Sequence, residues 1–171
     1  AAKARYLTTQ AKDDPVEYIH REIGYNYRLT NVQAAMGVAQ LEKLEEYIAA
    51  KRRIAEMYTK AANEFTGLVP MREAEWAFSI FWMYTVLVDK AQFGIGSRDL
   101  LRSLAAHKIQ ARPLWQPVHL SPAHQDGVVL PCPVAERLNR DAFSLPCSVG
   151  LTEQEQTRVI DSVKSILGGG Q

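Results

Sequence analysis

The chain is expected to fold as a small α/β (α+β-like) domain. About three mostly antiparallel strands are covered by helices on one side, and one long helix comes first. Three observations carry that expectation. A helical apolar period runs from Asn31 to about Asn63, the run Phe78 to Val88 has the aromatic and β-branched composition of a strand, and shorter helix and strand signals alternate from Ser97 to Leu167.

After an irregular start with Pro15, Thr30 opens the long helix, with Gln33 at capping-box spacing. Val32, Ala35, Met36, Ala39, Leu44, Ile48, Ala55 and Tyr58 fall at helical intervals and Gly67 ends the element. At about 1.5 Å per residue it spans roughly 45–50 Å, long enough to bridge domains or to lie on a subunit interface. Its Lys51-Arg52-Arg53 run reads as a solvated face, because no basic stripe or aromatic partners accompany it.

Phe78 to Val88 follows as a strand packed on both faces, which places Trp82 and Tyr84 in the core. Gly94 and Gly96 mark a turn and Ser97 caps a helix whose stripe is Leu100, Leu101, Leu104 and Ala105, with His107 and Lys108 favouring its C-terminal end. Ile109 to Leu114 is a second strand. Pro131 and Pro133 lead into a short helix over Val134 to Leu138, and Ala142 to Leu145 is a third strand. Thr152 and Glu155 form a capping box for a last helix with Val159, Ile160, Val163, Ile166 and Leu167 inward, and Gly168 to Gly170 end the ordered chain.

The 171 residues suit one domain with a real core, 47% of them are apolar, and the formal charge of +1 supplies no broad field for nucleic acid or an anionic membrane. No apolar run approaches the roughly 20 residues of a spanning helix, and residues 1–10 lack the apolar core of a signal peptide, so the expected location is cytoplasmic. Cys132 and Cys147 lie beside prolines without metal-ligand or redox spacing and are expected to be free thiols. No metal site is expected.

Two corners carry chemistry. In the first, Gly24-Tyr25-Asn26-Tyr27-Arg28-Leu29-Thr30-Asn31, Gly24 permits a close turn, Asn26 offers an amide donor and Arg28 a planar fork suited to carboxylate or phosphate oxygens. The second, Arg112-Pro113-Leu114-Trp115-Gln116-Pro117-Val118-His119, gathers a cation, an aromatic ring and a titratable group, and its prolines hold the backbone extended. On the residues alone, Arg28 either binds a ligand or pairs with Glu22 or Asp14. Trp115 is either a ligand contact or a core anchor, and His119 either meets a ligand or caps a loop carbonyl.

The first corner, together with His20 to Ile23, Gln33 to Gly37, Gln40 to Leu44, the Arg-Pro…His corner and Ser144-Leu145-Pro146, resembles the C-terminal half of the PLP-dependent nucleotide-sugar aminotransferases. This is the fold-type-I, aminohydroxybenzoate-synthase-like (DegT) family, and the resemblance runs from the start to about Leu167. The segments Gln10 to Pro15 and Tyr18 to His20 are most similar to the subgroup that aminates UDP-linked 4-keto-6-deoxy-N-acetylhexosamines in legionaminic-acid-type pathways.

The resemblance implies that residues 1–30 are the tail of a large PLP-binding domain, 31–63 a connecting helix, 64–168 a small C-terminal α/β domain and 169–171 a disordered tail. It implies a homodimer in which Asn26 reaches the PLP phosphate of the other subunit, with Arg28, Arg112, Trp115 and His119 near the nucleotide-sugar substrate. The lysine that carries PLP in the family belongs to a segment before the part matched, and Lys3, Lys12 and Lys108 do not fit its motif. The chain is therefore expected to hold no catalytic residue and to be inactive alone. The function implied is transfer of an amino group from an amino acid, glutamate, through PLP to a keto carbon of a nucleotide-linked sugar, for surface polysaccharide or related biosynthesis. A PLP-dependent nucleotide-sugar dehydratase of the same family, and a non-catalytic nucleotide-sugar-binding or assembly module, are the alternatives.

Overall fold

A computed structural model describes residues 1–14, 16–17, 19–124 and 130–168. The expectations for Pro15, Tyr18 and the tail 169–171 fall outside the described residues. The chain divides into two compact units, Ala1–Leu44 and Glu45–Gln171.

The first unit begins with α1, Ala2–Thr8. The chain then reverses through Gln10 and Ala11, both in the left-handed region at φ 69° and 48°. Among the described residues of this unit, Ala11 is the buried apolar one. Residues 24–27 return alongside the end of α1, with the Tyr25 N–H donating to Leu7 O at 2.8 Å, Gln10 N–H to Tyr25 O at 3.0 Å and Tyr27 N–H to Thr8 O at 3.0 Å. Thr9 and Asn26 form an antiparallel bridge within this stitch. Gly24 is required here: a Cβ on it would lie 2.3 Å from the Ala11 nitrogen and the Gln10 carbonyl carbon.

Where one helix is expected over 31–63, there are two: α2, Asn31–Glu42, and α3, Leu44–Ala62. The capping box at the start of α2 forms as read, Thr30 Oγ1 accepting from Gln33 N–H and Gln33 Oε1 from Thr30 N–H. Lys43 is not helical, at φ −103° and ψ 0°, and its N–H turns back to Gln40 and Leu41 carbonyls. The apolar period also changes meaning across that break. Val32, Met36 and Leu41 are exposed, whereas Ile54, Ala55, Tyr58 and Ala62 of α3 are core.

The second unit is built on a four-stranded antiparallel sheet in the order β1-β2-β4-β3: β1 Leu68–Pro70, β2 Tyr84–Val88, β3 Arg112–Pro113 and β4 Ala142–Leu145. The register pairs Val86 with Phe143, Tyr84 with Leu145 and Arg112 with Ser144. Alternation therefore sends Tyr84, Val86, Val88 and Phe143 to one face, where they pack with Ile54, Ala55 and Tyr58 of α3 and with α5 (Ser97–Ala106) and α7 (Glu153–Gly168). A short α4, Lys90–Phe93, is capped by the Asp89 side chain. α6, Pro133–Asp141, starts with Pro133 and runs directly into β4. Tyr58 donates its hydroxyl to Pro146 O at 2.9 Å, and burial raises its pKa.

Several elements differ from expectation for local reasons. β1 enters as an edge strand after Gly67, at φ 87°, and Pro70 sits at its end, where a missing N–H does no harm. Strand β2 starts at Tyr84, not Phe78, because Phe81 takes φ 46° and breaks the alternation. β3 shrinks to Arg112–Pro113, since Lys108 is left-handed at φ 59° and Ile109 turns into the core, its N–H bonded to Leu104 O. Ser97 does not cap α5. Gly96 holds the cap position, and the buried Ser97 donates to Arg140 O at 2.6 Å. Ala105, placed on the buried stripe by period, is exposed, while Leu100 and Leu104 are fully buried. Ala142–Leu145 and the Thr152–Glu155 capping box form as read. Among the described residues, no helix is long and apolar enough to cross a membrane.

Candidate functional site

Asn26 and Arg28 belong to the first unit and Arg112, Trp115 and His119 to the second. The backbone of Asn26 is fastened by its bridge to Thr9, so the residue is held on rigid chain, while its carboxamide has no hydrogen-bond partner among the described residues. Tyr25 and Tyr27 flank it and stack on one another, centroids 5.4 Å apart at 17°.

Arg28 is exposed and also lacks a partner among the described residues. Neither acid proposed for it is taken up that way. Glu22 pairs with Lys3, and Asp14 accepts the Val16 and Glu17 N–H groups at 2.7 and 2.9 Å. Those backbone donors lower the Asp14 pKa. An amide and a guanidinium on a pinned turn, both with unused donors, suit an anion such as a phosphate.

In the second unit, Arg112 lies exposed in β3 and lines an open cavity of about 360 Å3 with Met83, Gln110, Ser144, Cys147 and Ser148 among others. Ser144 in that wall shares a hydrogen bond with Thr85, oxygen to oxygen 2.9 Å. Trp115 and His119 do not line it.

Trp115 is no core anchor. It is 69% exposed and stacks on Trp82, itself 65% exposed, with centroids 5.8 Å apart and planes 12° apart. The expectation that Trp82 is core is therefore overturned: strand alternation would have turned it inward beside Tyr84, but the left-handed Phe81 re-aims the chain. His119 faces a carboxylate and not a loop carbonyl, its Nε2 lying 3.0 Å from Glu136 Oε1 on α6. Asn139, on the same helix, donates to the Leu114 and Trp115 carbonyls at 2.8 and 3.1 Å. The Arg112 to His119 corner is thus tied to α6 at two points.

The Lys51-Arg52 pair is half-buried and partnered, not a free solvated face. Lys51 Nζ donates to Trp82 O at 2.6 Å and to Cys147 O at 2.5 Å, and lies 3.3 Å from Cys147 Sγ. Arg52 forms a two-pronged ion pair with Glu73, donates to Ser79 O at 2.6 Å and lies over the Phe78 and Phe81 rings at 4.4 and 5.7 Å. The Arg52 guanidinium, helped by the Ser79 N–H, holds the Glu73 carboxyl down to about pKa 2. A signal for this was present in the chain: Lys51 precedes the buried Ala55 and Tyr58 by four and seven residues and so lies on their helical stripe. Arg53, by contrast, is exposed.

The family model for the DegT/DnrJ/EryC1/StrS aminotransferases matches residues 1–164. A putative pyridoxal phosphate-dependent aminotransferase, EpsN, from Bacillus subtilis (strain 168) is 38% identical over 167 residues, which cover 93% of this chain and 41% of that protein. A GDP-perosamine synthase from Caulobacter vibrioides is 35% identical, with 98% of this chain and 45% of that protein covered. The crystal structure of the aminotransferase TlmJ from Streptoalloteichus hindustanus superposes with a TM-score of 0.85 over 98% of this chain and 44% of TlmJ, at 24% identity, a likeness of fold. The chain spans less than half the length of the curated relatives it matches.

Proposed function

Because the chain belongs to the DegT/DnrJ/EryC1/StrS aminotransferase family, we propose that the full-length protein moves an amino group from glutamate to a keto carbon of a nucleotide-linked sugar, as a cytoplasmic PLP-dependent homodimer. The observation that carries this reading is the family match over residues 1–164. The pinned corner supports it, since Asn26 and Arg28 there have unused donors. PLP, when bound, supplies the electrophilic carbonyl and the electron sink that amino transfer needs.

In this reading Asn26 donates its amide to the cofactor phosphate of the neighbouring subunit, and Arg28 orients an anionic group of the substrate. Arg112, Trp115 and His119 hold the nucleotide sugar. The Glu136 carboxylate fixes the His119 ring so that one nitrogen remains for the ligand. The dimer is supported by the first unit, in which Ile23, Tyr27, Leu29, Val32, Met36 and Leu41 are all exposed.

The test is the full-length protein, loaded with PLP and assayed with glutamate and 4-keto hexoses linked to UDP, GDP or dTDP. The expected product is an amino sugar seen by mass spectrometry, with 2-oxoglutarate formed in equal amount. Turnover of none of the three nucleotide sugars would overturn the reading.

A further inference from the structure

We propose that Trp82 is a ligand-contacting, specificity-determining residue, and that the Trp82–Trp115 pair is the surface on which the nucleobase of the nucleotide substrate stacks, with Lys51 as its positioning residue. The proposal rests on the reading given under Proposed function and adds to it the base-binding surface.

Two large rings left in water are costly unless something covers them. Here they are held there. Lys51 takes the Trp82 carbonyl, and Asn139 takes the Trp115 carbonyl, so both residues are fixed at the backbone while their indoles stay open to solvent. Three residues before Trp82, Arg52 and Glu73 clamp Ser79 through both its carbonyl and its N–H. Such preorganisation reduces the ordering cost of binding a flat ligand.

The geometry also says how the ligand sits. The indoles are nearly parallel, and their centroids are 5.8 Å apart. A ring inserted between them would need two van der Waals thicknesses, about 7 Å. The pair is therefore closed to insertion, and a base stacks on one outer face of it, the second indole backing the one it contacts.

The charged end of the same ligand has a place nearby in the chain. Met83, next to Trp82, and Arg112, three residues before Trp115, both line the 360 Å3 cavity, where Ser144, Gln110 and Ser148 add further polar groups. Arg112 has no partner among the described residues. A planar base joined to two phosphates matches an aromatic face together with a guanidinium that has no partner among the described residues better than an uncharged sugar does.

The experiment uses the full-length, PLP-loaded protein titrated separately with UDP, GDP and dTDP by calorimetry, with Trp82→Leu, Trp82→Phe and Lys51→Met compared with wild type. The tightest-binding nucleotide should lose about 10-fold in affinity with Trp82→Leu and about 3-fold with Trp82→Phe, which keeps a smaller ring. KM for the nucleotide sugar should rise more than kcat falls. The far-ultraviolet circular-dichroism couplet of the stacked indoles should be present in wild type, weakened in Lys51→Met and lost in both Trp82 variants.

Wild-type affinity in both Trp82 variants overturns the proposal and leaves the aminotransferase reading standing. A changed oligomeric state in light scattering with unchanged nucleotide affinity makes the pair a contact between copies, and also overturns it. Failure of wild type to bind any of the three nucleotides also overturns the proposal, while the aminotransferase reading is decided separately by turnover of the nucleotide sugars.

Discussion

Arg52 and Glu73 meet side by side, Nη1 2.9 Å from Oε1 and Nη2 3.0 Å from Oε2, and this pair joins helix α3 to the irregular segment that carries Phe78, Ser79 and Trp82. A fork-to-fork pair is more directional than a single contact, and here both partners make further bonds to Ser79. Its strength depends on the carboxylate being charged.

The first prediction is a pH dependence. The Glu73 pKa falls on folding from an ordinary 4.5 to about 2, so its contribution to stability is complete above pH 4.5 and is lost as the pH drops toward 2. Glu73→Gln should lower the melting temperature at neutral pH. The difference from wild type should then narrow between pH 4.5 and about 2, as followed by circular dichroism. A difference that stays constant through that window would show that the pair does not act through its charge.

Gly24→Ala should disrupt the first corner. The added methyl would meet backbone atoms of Gln10 and Ala11 at 2.3 Å, and backbone cannot turn aside as a flexible side chain does. A cost of about 1–3 kcal/mol is expected, with faster hydrogen exchange at the Tyr25 and Tyr27 amides that stitch the corner to α1. Gly150→Ala is the control, since a Cβ there meets nothing within 4 Å. Equal behaviour of the two variants would remove the steric argument.

Asn26→Ala in the full-length protein tests the phosphate role. Losing one hydrogen bond to a buried phosphate costs about 1–3 kcal/mol, so PLP should be lost on dialysis roughly 10-fold more readily, with the melting temperature of the cofactor-free protein unchanged. Retention of PLP equal to wild type would leave Asn26 with its backbone role at the Thr9 bridge alone.

Self-association follows from the first unit, whose exposed apolar residues have, among the described residues, only Ala11 as a buried counterpart. At micromolar concentration this chain should scatter light as a dimer or larger species. Salt should shift the distribution little, because the driving force is apolar and the formal charge is +1. Substituting Met36→Lys with Leu41→Lys should move it toward monomer. A monomer in the unsubstituted chain would count against both the interface and the trans role of Asn26.

By itself the sequence determined what is local. The capping boxes at Thr30–Gln33 and Thr152–Glu155, the strand Ala142–Leu145 and the inward stripe of Val159 and Val163 are each specified by residues within a turn or two of one another. The string from Gly24 to Leu29 carried the family in the same way, because a chemical motif is written contiguously. Tertiary structure decided where long-range partners meet. The period along α3 puts Lys51 on the buried stripe, but it does not encode the groups that Lys51 and Arg52 meet there, the carbonyls of Trp82 and Cys147 and the carboxylate of Glu73. Ser97 left its cap for Arg140 O because a partner distant in sequence offered a buried acceptor. Trp82 lies outside the core because one left-handed residue, Phe81, ended the alternation just before Tyr84. Period and propensity report the average environment of a segment, whereas a single backbone rotation, stabilised by contacts from elsewhere in the fold, reverses the side on which the next side chain emerges.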